Sequence, residues 1–266
     1  MLLKWIFKNK YKLMAFIIGL YIIADVVKHK GQTRVLFAKN FPVYKVDENV
    51  PKAKNNLINT DKEWKKAVNT IDKLNALSEQ QGGIECDVYF NREKNSFEVH
   101  HDWDKSTGLS LEELFNQYKK RNLSASIWLD FKNLNDSNAK QALTYLIQLK
   151  IKFDLQNKLL IESNRTDLLN NFADSGFFTS YYTPMFNPYK LNDEEMKFWV
   201  DSLTFVIKNS KVNALSGYYF QYPFLHHYFP QYPILIWSAN DRFSLINWLY
   251  KRKIIRDTTV FIALYP

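Results

Sequence analysis

Glu85 and Asp87 stand two residues apart in the run IECDVYF, and a His101-Asp102 step follows in EVHHDW. On a β-strand, residues i and i+2 share a face, so the two carboxylates project together while Ile84, Cys86 and Val88 turn the other way. Carboxylates that close repel one another unless a cation lies between them, and hard oxygen donors of this kind suit Mg²⁺ or Ca²⁺. Asp130, at the end of SIWLDFK, offers a third acidic ligand from a neighbouring strand, with Lys132 on the same face two residues later. His101 carries a side chain that exchanges protons near neutral pH, and Asp102 or the nearby carboxylates would set its tautomer. His100 is expected to face away if the strand is regular. The competing reading is plainer: a solvated strand face, a surface histidine in a turn, and an Asp130–Lys132 ion pair.

Other polar and aromatic groups fall at strand ends. Glu162 and Ser163 close LLIES, where they either line the same mouth or cap a helix. Trp237 and Asn240 in ILIWSAND offer an aromatic wall and a polar contact for a substrate, or, for the Trp, core packing. The run GYYFQYPFLHHYFPQYP has neither strand nor helix period and reads as a groove-lining or packed loop. His226 and His227 read as surface or loop residues.

What positions these groups is an alternation of element types. Strand candidates are IECDVYF, SIWLDFK, KLLIES, FFTSYYT, VNALSG, PILIWS and TTVFIALY, with a weaker eighth at about Ala53 to Ile58. Amphipathic stretches lie between them at Thr60 to Ser78, Ser110 to Lys120, Asn138 to Leu149 and Arg242 to Lys251. Strands alternating with helices imply a parallel sheet. Eight such units over residues 55–266 fit a compact (β/α)₈ TIM barrel. An open doubly wound sheet is the alternative, but no G-x-G-x-x-G or P-loop supports a nucleotide site there.

The ordered set GIECDVYF, FEVHHDW, GLSLEELF, WLDFKN, LLIES and ILIWSAND resembles the glycerophosphodiester phosphodiesterase family, from the barrel superfamily that includes phosphatidylinositol-specific phospholipase C. The resemblance implies a metal-dependent hydrolase of a glycerol- or lipid-derived phosphodiester, attacked by the substrate's own neighbouring hydroxyl. It implies Glu85, Asp87 and Asp130 as metal ligands, His101 as acid or base, and Lys132 as a partner for the phosphoryl oxygens. Two departures stand out. The family usually has Glu where Asp130 stands. Its second catalytic His, at the end of the first strand, is matched by Asn56 in AKNNLINTDKEW; an amide does not exchange protons near neutral pH but can hydrogen-bond a phosphoryl oxygen. A catalytically impaired relative that binds a phosphate-bearing ligand or a protein partner is therefore the alternative function. His29-Lys30-Gly31 mimics the family's His-Arg-Gly but comes too early in the chain.

The run LMAFIIGLYIIADVV (Leu13 to Val27) follows Lys4, Lys8, Lys10 and Lys12. It is expected to be an uncleaved signal anchor over residues 1–29, spanning a membrane once with the body outside the cytoplasm. A cleaved signal peptide and a buried helix or first strand are the alternatives. Residues 30–54 read as a basic tether. The formal charge of +9 is spread along the chain, and no zinc-finger, RNP-like or helix-turn-helix motif is present. Anionic phospholipid or a phosphate-bearing substrate explains this balance better than nucleic acid, and no nucleic-acid partner is expected. Cys86 is the only cysteine, which excludes an internal disulfide and suggests a buried structural thiol.

Overall fold

A computed structural model describes residues 9–37, 39–44, 57–58, 61–239 and 241–266. Eight parallel strands close on themselves: β1 (Glu63–Lys65), β2 (Gly83–Asn91), β4 (Ser126–Phe131), β5 (Leu159–Ser163), β6 (Phe178–Tyr182), β7 (Ala214–Tyr218), β8 (Ile234–Trp237) and β9 (Val260–Tyr265). Pairing of β1 with both β9 and β2 completes the ring. The ninth strand, β3 (Ser96–Val99), runs antiparallel along the outer end of β2 as a hairpin. The helices α3 (Ile71–Asn75), α4 (Leu111–Lys120), α5 (Ala139–Lys152), α6 (Thr166–Asp174), α7 (Asp193–Asn209), α8 (Tyr222–Tyr228) and α9 (Leu245–Arg256) alternate with the strands.

Period-two alternation divides the core. Ile84, Cys86, Val88, Ile127, Leu129 and Ile161 face outward and pack beneath the helices. Trp64, Trp128, Leu160, Phe178, Leu235, Trp237, Ile262 and Leu264 point inward and fill the barrel. Leu57 joins this inner cluster. The helix starts follow ordinary capping chemistry. Ser110 and Asn192 each form a reciprocal capping box, with Glu113 and Glu195 respectively, and Ser244 caps α9.

Seven of the eight expected barrel strands lie where the sequence puts them, but the first does not. It is Glu63–Lys65, while Leu57 and Ile58 belong to no strand and residues 53–56 lie outside the described residues. The helix expected from Thr60 to Ser78 is likewise replaced by a strand, an extended segment and the short α3. Trp64 and Val68 are four residues apart, which mimics a helical face. In fact Ala67 takes a left-handed backbone conformation (φ 56°), and this breaks the strand alternation. Trp64 therefore enters the barrel while Val68 packs outside it.

The N-terminal segment is also corrected. It forms α1 (Lys10–Lys28) and, after a break at His29, α2 (Lys30–Leu36), where an irregular tether was expected. No helix among the described residues is long and apolar enough to cross a membrane, and residues 1–8 of the single-pass span expected over residues 1–29 lie outside them. Its C-terminal end is fastened to the barrel. The buried Asp25 carboxylate accepts from the Ile246 amide at 2.9 Å and meets His29 Nδ1 at 2.9 Å. Lys28 pairs with Asp241 at 2.7 Å, and Gln32 donates to Asn247 at 2.8 Å. His29 thus serves in a docking knot and does not line the cavity.

Gly83 packs directly against the Trp64 indole. A Cβ at this position would lie 2.0 Å from ring atoms that are themselves buried. Gly83→Ala is expected to destabilise the fold by about 1–3 kcal/mol through overpacking, read as a lower urea midpoint at unchanged slope.

Candidate active site

Residues Asp87, Asp130, Glu162 and Ser180 sit opposite one another across adjacent strands, forming one inward-facing layer near the C-terminal strand ends. Glu85 lies one step deeper, in register with Trp128. Above this layer opens a cavity of about 310 Å³, lined by Lys66, Asp87, His101, Asp130 and Lys132 on one side and by Ser163, Asn164, Tyr182, Tyr218 and Trp237 on the other. The acidic strand pair is therefore turned into the barrel, and the solvated-face reading fails.

The carboxylates are held by named partners. Glu85 accepts from the Ala67 amide at 2.6 Å, the contact that the left-handed turn at Ala67 makes possible. Asp87 accepts from the Asn69 side chain at 2.6 Å, and its own amide donates back to Asn69 at 2.9 Å. Lys132 bridges the cluster, 2.7 Å from Asp87 and in contact with Asp130. Burial, then Asp87 and Asp130, push the Glu85 carboxyl up to about 8. Burial also raises Asp130 against the opposing pull of Lys132. For Lys132 burial acts against the charged form, yet Asp130 and Asp87 outweigh it and hold the ammonium above its ordinary range.

Glu162 is fully buried, and neither of its carboxylate oxygens has a hydrogen-bond partner. Burial drives its pKa well upward, reinforced by Asp130, and Ser216 opposes this only weakly. The Ser216 hydroxyl is committed to the Tyr181 carbonyl at 3.0 Å. Glu162 thus belongs to the acidic layer beneath the cavity and does not line its wall.

The cluster fits a divalent cation. Ligand atoms of Glu85, Asp87 and Asp130 all lie within 4.8 Å of one another. Oxygens on opposite sides of one Mg²⁺ or Ca²⁺ stand about 4–5 Å apart at ordinary bond lengths, and both ions prefer such donors. The carboxylates outnumber the one lysine that touches them, which leaves room for further positive charge.

His101 lines the cavity with an exposed ring, and its Nδ1 is 2.8 Å from the Asp102 carboxylate. That contact fixes the Nδ1–H tautomer and leaves Nε2 to exchange protons. Hydrogen bonding from His101 and the nearby Lys105 hold Asp102 at about 2. His100 was expected to face the opposite side. It stacks on Tyr89 at 4.4 Å, buried beside Asp87 where the β3 alternation places it, and does not line the cavity; because β3 ends at Val99, His101 leaves that alternation and reaches the mouth.

Trp237 lines the mouth and is packed as well, against Tyr182 at 5.1 Å and Tyr218 at 5.3 Å. It is thus packed and at the cavity wall at once. Asn56 and Asn240 lie outside the described residues. The run around Tyr218 is not a loop: it supplies the end of β7 and all of α8, which starts with Pro223 in its first turn. His226 and His227 lie on α8, along a groove on the barrel's outer wall, and do not approach the mouth.

Three residues escaped the sequence reading. Lys66 follows β1 directly and lines the cavity where a strand-end group belongs. Asn69 orients Asp87, and Tyr182 completes the aromatic wall. The misplaced first strand hid the first two; a short strand ending in charged residues gives no periodic signal.

Comparison with known proteins agrees at the level of the fold. The sequence pattern of the Menorin N-terminal domain matches residues 59–165, which run from before β1 to the end of β5 and include the acidic cluster. No curated protein matches the chain by sequence. Among solved structures, a glycerophosphodiester phosphodiesterase from Parabacteroides distasonis superposes with a TM-score of 0.54 at 15% identity, covering 77% of this chain and 93% of its own. A putative glycerophosphodiester phosphodiesterase from Galdieria sulphuraria gives 0.54 at 14% identity, covering 78% and 94%. A phosphodiesterase from Oleispira antarctica, in complex with the product sn-glycerol-3-phosphate, gives 0.51 at 13% identity, covering 77% and 92%. The chain shares the barrel fold of these proteins, as the order of its strand motifs implied.

Mg²⁺ or Ca²⁺ at about a hundredfold above its Kd is expected to stabilise the protein by about 2.7 kcal/mol, seen as a raised melting temperature. Asp87→Asn should abolish that shift and His101→Ala should keep it. A shift that survives Asp87→Asn would place the cation elsewhere.

Proposed function

We propose that the chain is a phosphodiesterase-like hydrolase acting on a glycerol- or lipid-derived phosphodiester. The observation that carries this reading is the convergence of Glu85, Asp87 and Asp130 with Lys66, Lys132 and His101 at one barrel mouth. Carboxylates alone repel a phosphate, whereas two lysines beside a cation-binding acidic set attract one.

Glu85, Asp87 and Asp130 would hold a divalent cation, which when bound offsets charge on a phosphoryl oxygen. The protein's own groups do the rest. Lys132, fixed between Asp87 and Asp130, holds its ammonium toward the space a phosphoryl oxygen would fill. His101, oriented by Asp102, takes the proton of the attacking hydroxyl at Nε2 as that oxygen bonds to phosphorus. The bond from phosphorus to the leaving oxygen breaks as Lys66 gives that oxygen a proton, which leaves a cyclic phosphodiester. Water then opens the ring, passing a proton to Lys66 while His101 returns its proton from Nε2 to the ring oxygen; Lys66 also binds phosphate as a point charge. Tyr182, Tyr218 and Trp237 form an apolar wall suited to the carbon skeleton of a head group.

The second reading, a barrel that binds a phosphate-bearing ligand without turnover, draws on one observation. Among the described residues, His101 is the only imidazole lining the cavity, and the group after β1 is Lys66. A lysine donates protons readily but is a poor base near neutral pH.

The two readings separate in one assay. Hydrolysis of glycerophosphodiesters and of a generic aryl phosphodiester would be followed with and without Mg²⁺ or Ca²⁺. Metal-dependent turnover that falls about 100- to 10,000-fold in His101→Ala supports the enzyme. The absence of turnover, together with sn-glycerol 3-phosphate binding that Lys66→Ala removes, would instead establish the binding protein.

A further inference from the structure

Ahead of its docked C-terminal end, α1 is exposed on most of its circumference. Met14, Phe16, Ile17, Ile18, Leu20, Ile22 and Ile23 are each 41–64% exposed, and at 100° per residue they spread over about 260° around the axis. A protein groove or a second helix would cover one stripe of such a surface and leave the others in water. Only a surrounding apolar medium covers them all.

The helix leaves the body at the mouth end of the barrel. Asp25 binds the start of α9, Lys28 binds Asp241, and the Tyr21 hydroxyl donates to the Phe243 carbonyl, all within the segment that follows β8. Residues before Tyr21 therefore continue outward past the rim. The rim itself carries isolated exposed apolar side chains on three separate segments beyond strand ends. Trp103 is 81% exposed, Met185 66% and Phe243 88%. Lys10, Lys12, Lys30 and Arg242 lie exposed around the helix and its docking site, on a chain of net charge +9.

We propose that the mouth of the barrel rests on an anionic lipid bilayer, with α1 immersed from one side and Trp103, Met185 and Phe243 dipping into the headgroup region. Apolar burial and attraction to anionic headgroups together drive such contacts. The substrate consequence rests on the function proposed above: phosphodiesters held in the membrane would reach the acidic cluster without leaving its surface. The bilayer contact itself does not depend on catalysis.

The full chain would be floated with vesicles of phosphatidylcholine, with and without phosphatidylserine. Cys86 is the only cysteine and is buried, so Phe243→Cys can be labelled selectively with a polarity-sensitive dye. The expected results are flotation that strengthens with phosphatidylserine and weakens with salt, and a blue shift of the dye on vesicles. The triple variant Trp103→Ser, Met185→Ser, Phe243→Ser should lose at least about tenfold in vesicle affinity while hydrolysing a soluble diester as before. Flotation with an unshifted dye would overturn the proposal, since the mouth would then face away from the lipid. So would a chain that stays in solution as a dimer with α1 protected. Flotation without turnover would refute the enzyme reading and leave the lipid contact standing; turnover without flotation would do the reverse.

Discussion

Gathering several carboxylates inside a barrel sets the main physical constraint on this protein. Asp87, Asp130 and Glu162 occupy one layer on consecutive strands, with Glu85 directly below. Each costs several kcal/mol to bury as a lone ion, and their mutual repulsion adds to that cost. The chain offsets this with groups drawn from elsewhere in sequence: Lys132 from the end of β4, the Ala67 amide, and Asn69 from the segment after β1. What those groups leave uncompensated is what makes the cluster a receptor for positive charge.

The same constraint explains the local strain. Ala67 adopts a backbone conformation that costs a non-glycine residue of order 1 kcal/mol, and its amide thereby reaches Glu85. Glu85 apart, the deeper inner layer is apolar. Trp64, Trp128, Leu160 and Phe178 fill the barrel beside Glu85 and below Asp87, Asp130 and Glu162, with Trp64 seated against Gly83, where no side chain fits. That rigid floor fixes the strand register, and the register fixes the spacing of the carboxylates.

The N-terminal helices form a separate design built on a buried polar knot. Asp25, His29, Gln32, Asn247 and Asp241 tie α1 and α2 to the start of α9 and to the segment after β8. That segment follows Trp237, which walls the cavity. The apolar helix is thus attached on the side where the site opens, and its direction is set by hydrogen bonds outside the site.

Most of the barrel could be read from sequence because buried parallel strands are short apolar runs, and seven of them stood out. Period-two spacing alone put Glu85 and Asp87 on one face and Cys86 on the other. Other features needed three dimensions. The three-residue β1 has no periodic signature, so the first strand was placed too early and Asn56 was named where Lys66 closes the mouth. The place of His101 at the mouth depended on β3 ending at Val99, a matter of pairing register. Whether Glu162 touched the cavity or lay sealed beneath it depended on how far β5 rises relative to β4. Local spacing determines which side of a strand a residue faces; closure of the ring and the stagger between strands determine what it meets there.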